Sequence, residues 1–168
     1  SKRRYRMFSV MLVIFAILLG ADVMIKRWVE DELNQGEERK LPGGGLVLRK
    51  VYNRGFLLNL FDEHPKAVRG MSVFAGAGVL AWDFLTFAKK RSYVKKLGMA
   101  LVSAGAASNL FDRLAKGKVV DYIGFKTKKK FLGRITANLG DIYLVCGGVL
   151  VMAGEMLSVV LHRDKTKK

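Results

Sequence analysis

The chain has 168 residues, a length suited to one domain, and half of them are apolar, yet thirty are Lys or Arg and the net charge is +16. Apolar blocks alternate with basic clusters, which excludes an ordinary soluble globular domain and fits a polytopic membrane protein. No DNA- or RNA-reading motif accompanies the charge, so an anionic lipid surface is its expected partner and nucleic acid is not. One cysteine, Cys146, allows no disulfide, and His64 and His162 are too few and too isolated for a zinc site, so no metal or cofactor is expected. Cys146 lies in an apolar run and is expected to be a small buried residue.

The first apolar block covers about residues 7–25, behind Lys2, Arg3, Arg4 and Arg6. It is long enough to span and is followed by further spans, so it reads as a retained helix rather than a cleaved leader. Asp22 and Lys26, four apart, share a face at its far end. They read as an interfacial ion pair or as part of a site. The loop of about residues 26–66 is punctuated by Pro42, Gly43, Gly44 and Gly45. Beyond these, residues 46–52 and 56–61 predict two strands around a hairpin turn at Asn53-Arg54-Gly55.

A second block, about 68–87, carries Asp83 near its end and leads into the basic turn Lys89, Lys90, Arg91, Lys95, Lys96. The third block, about 97–111, is short and rich in Gly, Ala and Ser, which lets neighbouring helices approach closely. Asn109, Asp112 and Arg113 end it, with Asn109 and Asp112 on one face. In the next loop, about 112–138, residues 119–125 and 131–135 read as extended. Asp121 there is a single charge among apolar neighbours, and Lys126, Lys128, Lys129 and Lys130 form a basic rim. The fourth block, about 139–161, begins with Asn138 as a cap and Asp141 in the first turn, a pattern that suits a helix N-terminus in its own right. Glu155 near its far end and Asp83 are read as paired or snorkelling. The tail after His162 is basic and expected to be loose.

Basic residues mark the cytoplasmic side. Four spans put the N-terminus, the basic turn and the tail there, and both longer loops outside. Asp22, Asn53, Asn109, Asp112, Asp121, Asn138 and Asp141 then gather on one side of the bilayer. Acids beside membrane segments are costly and are usually functional or paired. That convergence argues for a site.

The ordered set resembles the bacterial lipoprotein signal peptidases, the signal peptidase II family of membrane aspartyl proteases. The motifs are Asp22-x-x-x-Lys26, Asn53-Arg54-Gly55, Gly105-Ala-Ala-Ser-Asn109-Leu-Phe-Asp112-Arg113-Leu-Ala-Lys-Gly117-Lys-Val119-Val120-Asp121-Tyr122, and Asn138-Leu139-Gly140-Asp141. The third is the most specific; Asn-x-Gly alone carries almost nothing. The chain departs from the family pattern at Gly140, where Ala is usual, at Phe56, Leu57 and Leu58 after the outer-loop motif, and at Ile25 before the lysine.

The resemblance implies one peptidase domain over residues 1–168, a membrane all-α bundle of four transmembrane helices with a small extracytoplasmic β-sheet cradle. It implies that Asp121 and Asp141 are the catalytic pair. Asp22, Lys26, Asn53, Asn109, Asp112, Arg113 and Asn138 would support the site or bind substrate. It further implies a multi-pass protein of the bacterial cytoplasmic membrane, its site near the outer leaflet, its substrates diacylglyceryl-modified prolipoproteins cut before the lipidated cysteine. Two other readings are a relative that binds lipidated chains without cutting them, and a four-span transporter component. The first would usually lack one carboxylate, and the second would carry its acids in mid-span.

Overall fold

The computed structural model describes residues 2–88 and 93–165. Residues 89–91 of the basic turn and the last three residues of the tail lie outside that description. The elements follow in order: helix α1 Lys2–Glu32, strands β1 Glu38–Lys40 and β2 Leu46–Asn53, a 3-10 turn Leu57–Asn59, helices α2 Pro65–Ala88 and α3 Tyr93–Lys116, strand β3 Val119–Phe125, a short helix α4 Lys130–Arg134, strand β4 Thr136–Ala137 and helix α5 Leu139–Lys165.

Among the described residues, three helices are long and apolar enough to cross a membrane: α1, α2 and α5. Their outward faces are apolar and bare. Phe74 and Phe84 of α2, and Val145 and Met152 of α5, are each about two-thirds exposed or more, a surface that water does not tolerate over such an area. Cys146 is exposed on that same side of α5, against expectation. In a lipid-facing helix an apolar run does not imply burial.

α3 is the central helix and contacts α1, α2 and α5. It continues past residue 111 to Lys116, so Asp112 and Arg113 belong to the helix rather than to the loop after it. Lys95 and Lys96 near its start are buried, and Lys95 pairs with Glu155 of α5 at 2.7 Å, as expected for Glu155. Asp83 accepts a hydrogen bond from Ser103 Oγ at 2.6 Å.

α3 and α5 meet along a glycine seam. A Cβ on Gly98 would lie 2.8 Å from Gly147 O, and one on Gly147 would lie 2.6 Å from Gly98 O. Seven residues further along α3, a Cβ on Gly105 would collide with Gly140 O. Without side chains at these four points the backbones touch.

The sheet is antiparallel in the order β1-β2-β3-β4. β1 and β2 are joined through Gly43 and Gly44, whose φ angles of 99° and 81° favour glycine. β2 pairs with β3 as Leu48↔Ile123 and then Val51↔Asp121, so one extra residue bulges between Leu48 and Val51. A one-residue shift flips the facing of every later side chain. The bulge therefore brings Val51 and Asn53 to the face that carries Asp121. The opposite residues, Val120 and Tyr122, pack on Val29 at the end of α1.

Two expected strands are absent. Residues 56–61 form the 3-10 turn and a bend, with positive φ at Leu58, Asn59 and Phe61. The Asn53 side chain closes this turn, donating to Phe56 O at 2.8 Å and accepting from Gly55 N at 3.0 Å. Residues 131–135 lie in α4 and the residue after it. Arg49, at the bulge, donates to Thr136 Oγ1, Gly133 O and Ile135 O, each at 2.9 Å, and so clamps the segment over Gly124.

The seam makes a paired prediction. Gly105→Ala places a methyl into Gly140 and should lower stability by about 1–3 kcal/mol. Gly148→Ala meets nothing within 4 Å and should be neutral or gain up to about 1 kcal/mol of helix propensity. Thermal unfolding in detergent compares the two, and equal shifts would contradict a seam packed at Gly105.

Candidate active site

The site forms where the C-terminal turns of α1 and α3 and the start of α5 meet β3 and the end of β2. Lys26 stands at its base, fully buried. Its ammonium lies 3.1 Å from Asp22 Oδ2 and 3.1 Å from Asp112 Oδ2. It also donates to Ser108 Oγ at 2.9 Å and to Asn109 Oδ1 at 3.0 Å. Asp22 accepts from Ser108 Oγ at 2.6 Å and from Tyr122 OH at 2.7 Å. Asp112 accepts from the backbone N–H of Val120 at 3.1 Å, which ties α3 to β3. Asp22 and Lys26 are thus a pair on one helix face, as expected, but a buried one that binds three elements together.

Above this base stand Asp121 and Asp141. Asn138 caps α5 reciprocally: its Oδ1 accepts from Asp141 N at 2.9 Å, and its own N–H donates to Asp141 Oδ2 at 3.0 Å. The same side chain donates through Nδ2 to Asp121 Oδ1 at 2.8 Å and to Asn109 Oδ1 at 3.0 Å. Asn109 Nδ2 donates to Asp141 Oδ1 at 2.9 Å. Asn53 Nδ2 donates to Asp121 Oδ2 at 3.2 Å, an approach that the bulge in β2 makes possible. Each of the four carboxylate oxygens therefore receives one N–H donor.

Arg113 leans away from this cluster. It donates to Gly55 O at 3.0 Å and lies over the Phe56 ring at 5.2 Å, holding the turn after Asn53 against the site. A Cβ on Gly55 would lie 2.6 Å from the backbone of Asn59, so this close turn needs glycine. A recess of about 230 Å³ opens beside Asp121, lined by Val51, Asn53, Leu58, Asn59, Arg134 and Thr136.

All nine residues singled out from the sequence come together here. Three more belong with them. Ser108 and Tyr122 bond Asp22, and Lys116 lies 3.5 Å from Asp112 Oδ1 while pairing with Glu30. Ser108 and Tyr122 stand inside the long motif, but one reads as a small packing residue and the other as an apolar strand residue. Only the fold shows where their hydroxyls reach.

Asp121 is 3% exposed. Burial, and then the charge of Asp141, push its carboxyl up to about 7, against the pull of Asn53, Lys26 and Asn138. Burial and the charge of Asp22 raise the Tyr122 hydroxyl, so it stays a neutral donor. The Asp121 shift has a definite sign in stability. The folded state holds the proton above the ordinary value of 3.8, so native stability falls as pH rises from about 4 to about 7. Relative to Asp121→Asn, the wild-type melting temperature should drop across that window, and a flat or opposite trend in paired thermal melts would remove the buried acid from the account.

Known proteins are similar to this chain. The family model described as Signal peptidase (SPase) II matches residues 14–157. A lipoprotein signal peptidase of Syntrophomonas wolfei is 31% identical, covering 82% of this chain and 87% of its own length. One from Pelotomaculum thermopropionicum is 30% identical, covering 94% and 96%. One from Fusobacterium nucleatum is 29% identical, covering 94% and 90%. Two solved bacterial membrane enzymes share the fold. One matches with a TM-score of 0.75 at 18% identity, over 95% of this chain and 92% of that one, and the other with 0.72 at 20%, over 86% and 91%. With its apolar helices, the chain is a multi-pass membrane protein, and it belongs to the signal peptidase II family.

Proposed function

We propose that this chain removes the signal peptide from diacylglyceryl-modified prolipoproteins, cutting before the lipidated cysteine, with Asp121 and Asp141 as an aspartyl pair that activates water. The observation that carries the reading is the shared cradle of Asn138 and Asn109. It holds two carboxylates from different elements side by side, each oxygen with one donor. Like charges this close share a proton, and burial favours the same state. One carboxylate takes a proton from a water while the protonated partner polarises the scissile carbonyl. The tetrahedral intermediate then collapses with the proton passing to the leaving amine. The apparent pKa values belong to the pair.

The other roles follow from position. Asp22, Lys26 and Asp112 support the base, Asn109 and Asn138 orient the acids, and Asn53 with Arg113 presents the outer turn to substrate backbone. The recess beside Asp121 receives part of the substrate chain. α3 serves as a fourth span whose small and polar residues face its neighbours rather than lipid. The termini then lie in the cytoplasm and the site at the outer leaflet of the bacterial cytoplasmic membrane. Lys126, Lys128, Lys129 and Lys130 are exposed beside the sheet, where anionic phospholipid would meet them.

Cleavage of a diacylglyceryl-modified prolipoprotein by the purified protein tests the reading. Asp121→Asn and Asp141→Asn should each lower kcat by roughly 10²–10⁴-fold or more. The rate should be bell-shaped in pH, falling on the alkaline side from about 7 as the shared proton is lost. Full activity in either folded variant would end the aspartyl reading.

A separate test concerns the rim. Replacing Lys128, Lys129 and Lys130 by Gln should cost about 1 kcal/mol each in binding to acidic vesicles and leave the cleavage rate in detergent unchanged. Vesicle binding that ignores the substitution would sever the rim from lipid.

A further inference from the structure

Two amides decide what the carboxylates of Asp121 and Asp141 meet, and an Asn side chain has no intrinsic preference for which end faces where. Its partners decide. An ammonium has donors and no acceptor, so the Asn109 atom facing Lys26 Nζ is its oxygen. Asn109 Nδ2 is then turned to Asp141 Oδ1. The same oxygen accepts from Asn138 Nδ2, which also reaches Asp121 Oδ1. Asn138 Oδ1 is left for the N–H of Asp141. The bonds of Lys26 itself go to Asp22, Asp112, Ser108 and Asn109. The backbone N–H of Asp141 and the carbonyl of Val120, 3.3 Å from Asn138 Nδ2, orient the Asn138 amide by themselves, so the cation on α1 and Asn138 together set the polarity of the amide on α3.

We propose that Lys26 is a positioning residue for the hydrolysis: it holds the oxygen of Asn109 so that this amide presents its N–H group to Asp141, and so sets the pH range in which the pair holds one proton. This rests on the aspartyl peptidase reading above. Without Lys26, only Asn138 Nδ2 still holds the Asn109 oxygen, and the amide turns that oxygen toward Asp141 more readily. An acceptor there suits a protonated carboxyl and repels an ionised one. Loss of the cation acts in the same direction, since the charge of Lys26 pulls the Asp121 carboxyl down.

The charged and titratable groups around Lys26 are Asp22 on α1, Asp112, Arg113 and Lys116 on α3, Asp121 and Tyr122 on β3, and Asp141 and Tyr143 on α5. Arg113 spends its bond on Gly55 O, and Lys116 pairs with Glu30 and Asp112.

Lys26→Met leaves two buried carboxylates short of a cation and is liable to unfold. The second variant is Asp22→Asn with Lys26→Met, which removes the cation together with one of its acids. Asp112 then keeps Lys116 and the Val120 N–H, and the amide oxygen introduced by Asp22→Asn still accepts from Tyr122 OH. Two readouts are taken on folded protein in detergent: the pH profile of kcat/KM for the lipidated substrate, and the infrared titration of protonated carboxyl, with Asp121→Asn and Asp141→Asn identifying the bands.

The expected result is that both limbs of the profile and the infrared midpoint move up by about one pH unit or more, with kcat at the pH optimum falling more than about tenfold and KM little changed. Activity that falls only with the folded fraction, on an unmoved profile and an unmoved band, makes Lys26 purely structural and overturns the proposal. If the wild type cuts nothing while its carboxyl bands still shift on loss of Lys26, the peptidase reading fails and the orientation by Lys26 stands.

Discussion

The closeness of α3 and α5 is the constraint on which the site depends. Asn and Asp are short side chains, so Asn109 on one helix reaches Asp141 on the other at 2.9 Å only if the two backbones nearly touch. The seam of Gly98, Gly105, Gly140 and Gly147 provides that approach. In lipid, where burying apolar surface drives little association, small residues that admit close packing are what holds helices together. The packing device and the geometry of the paired acids are therefore the same feature. A bulkier residue at the seam would separate the helices and stretch the bond that orients Asp141.

A buried cation supplies the second constraint. Taking an ammonium out of water costs several kcal/mol unless every donor is answered. Lys26 has four oxygen acceptors within 3.1 Å, on α1 and α3. Through Asp22 and Asp112 the same cluster reaches Tyr122 and Val120 of β3. Such a pair adds little net stability, but removing one member costs about 3–5 kcal/mol, and its best-attested use is to fix register. Here it selects the rotation of α1 that brings Asp22, Lys26 and Val29 onto α3 and β3. The sheet is thereby anchored to the helices, and β3 carries Asp121 to a fixed place.

Much of this was legible in the sequence. The apolar blocks gave the long helices, residues 119–125 form β3 with the expected bounds, and β2 runs one residue past its expected end. The acids and amides gather as expected because they recur at the ends of apolar blocks, where an isolated charge needs a partner. Other features depend on contacts that no local pattern encodes. β1 is three charged residues with no alternation, ordered by pairing with β2. Residues 56–61 look like a strand because they are mostly apolar, but Leu58 and Phe61 take left-handed angles that such residues seldom adopt, with Asn59 between them in the same region. Residues 131–134 are helical, and Arg49 holds the segment by binding the carbonyls of Gly133 and Ile135 from two strands away. Cys146 is exposed rather than buried because apolar periodicity in a membrane helix does not separate the packed face from the lipid face.

Gly140 joins these threads. The family resemblance leads one to expect alanine there, and glycine stands instead. A Cβ at this position would lie 3.0 Å from Asn138 Oδ1, 3.0 Å from Asp22 Oδ2 and 3.3 Å from Asn109 Oδ1. All three oxygens are engaged in the network, so a methyl would require them to give by a few tenths of an ångström. On its other side Gly140 offers the carbonyl that Gly105 abuts. The missing methyl thus lets the seam close and the oxygens converge at one point, between the base that holds Lys26 and the pair that holds the acids. A departure from the family pattern as small as one methyl therefore belongs to the site's geometry, although no atom of Gly140 is polar beyond its backbone.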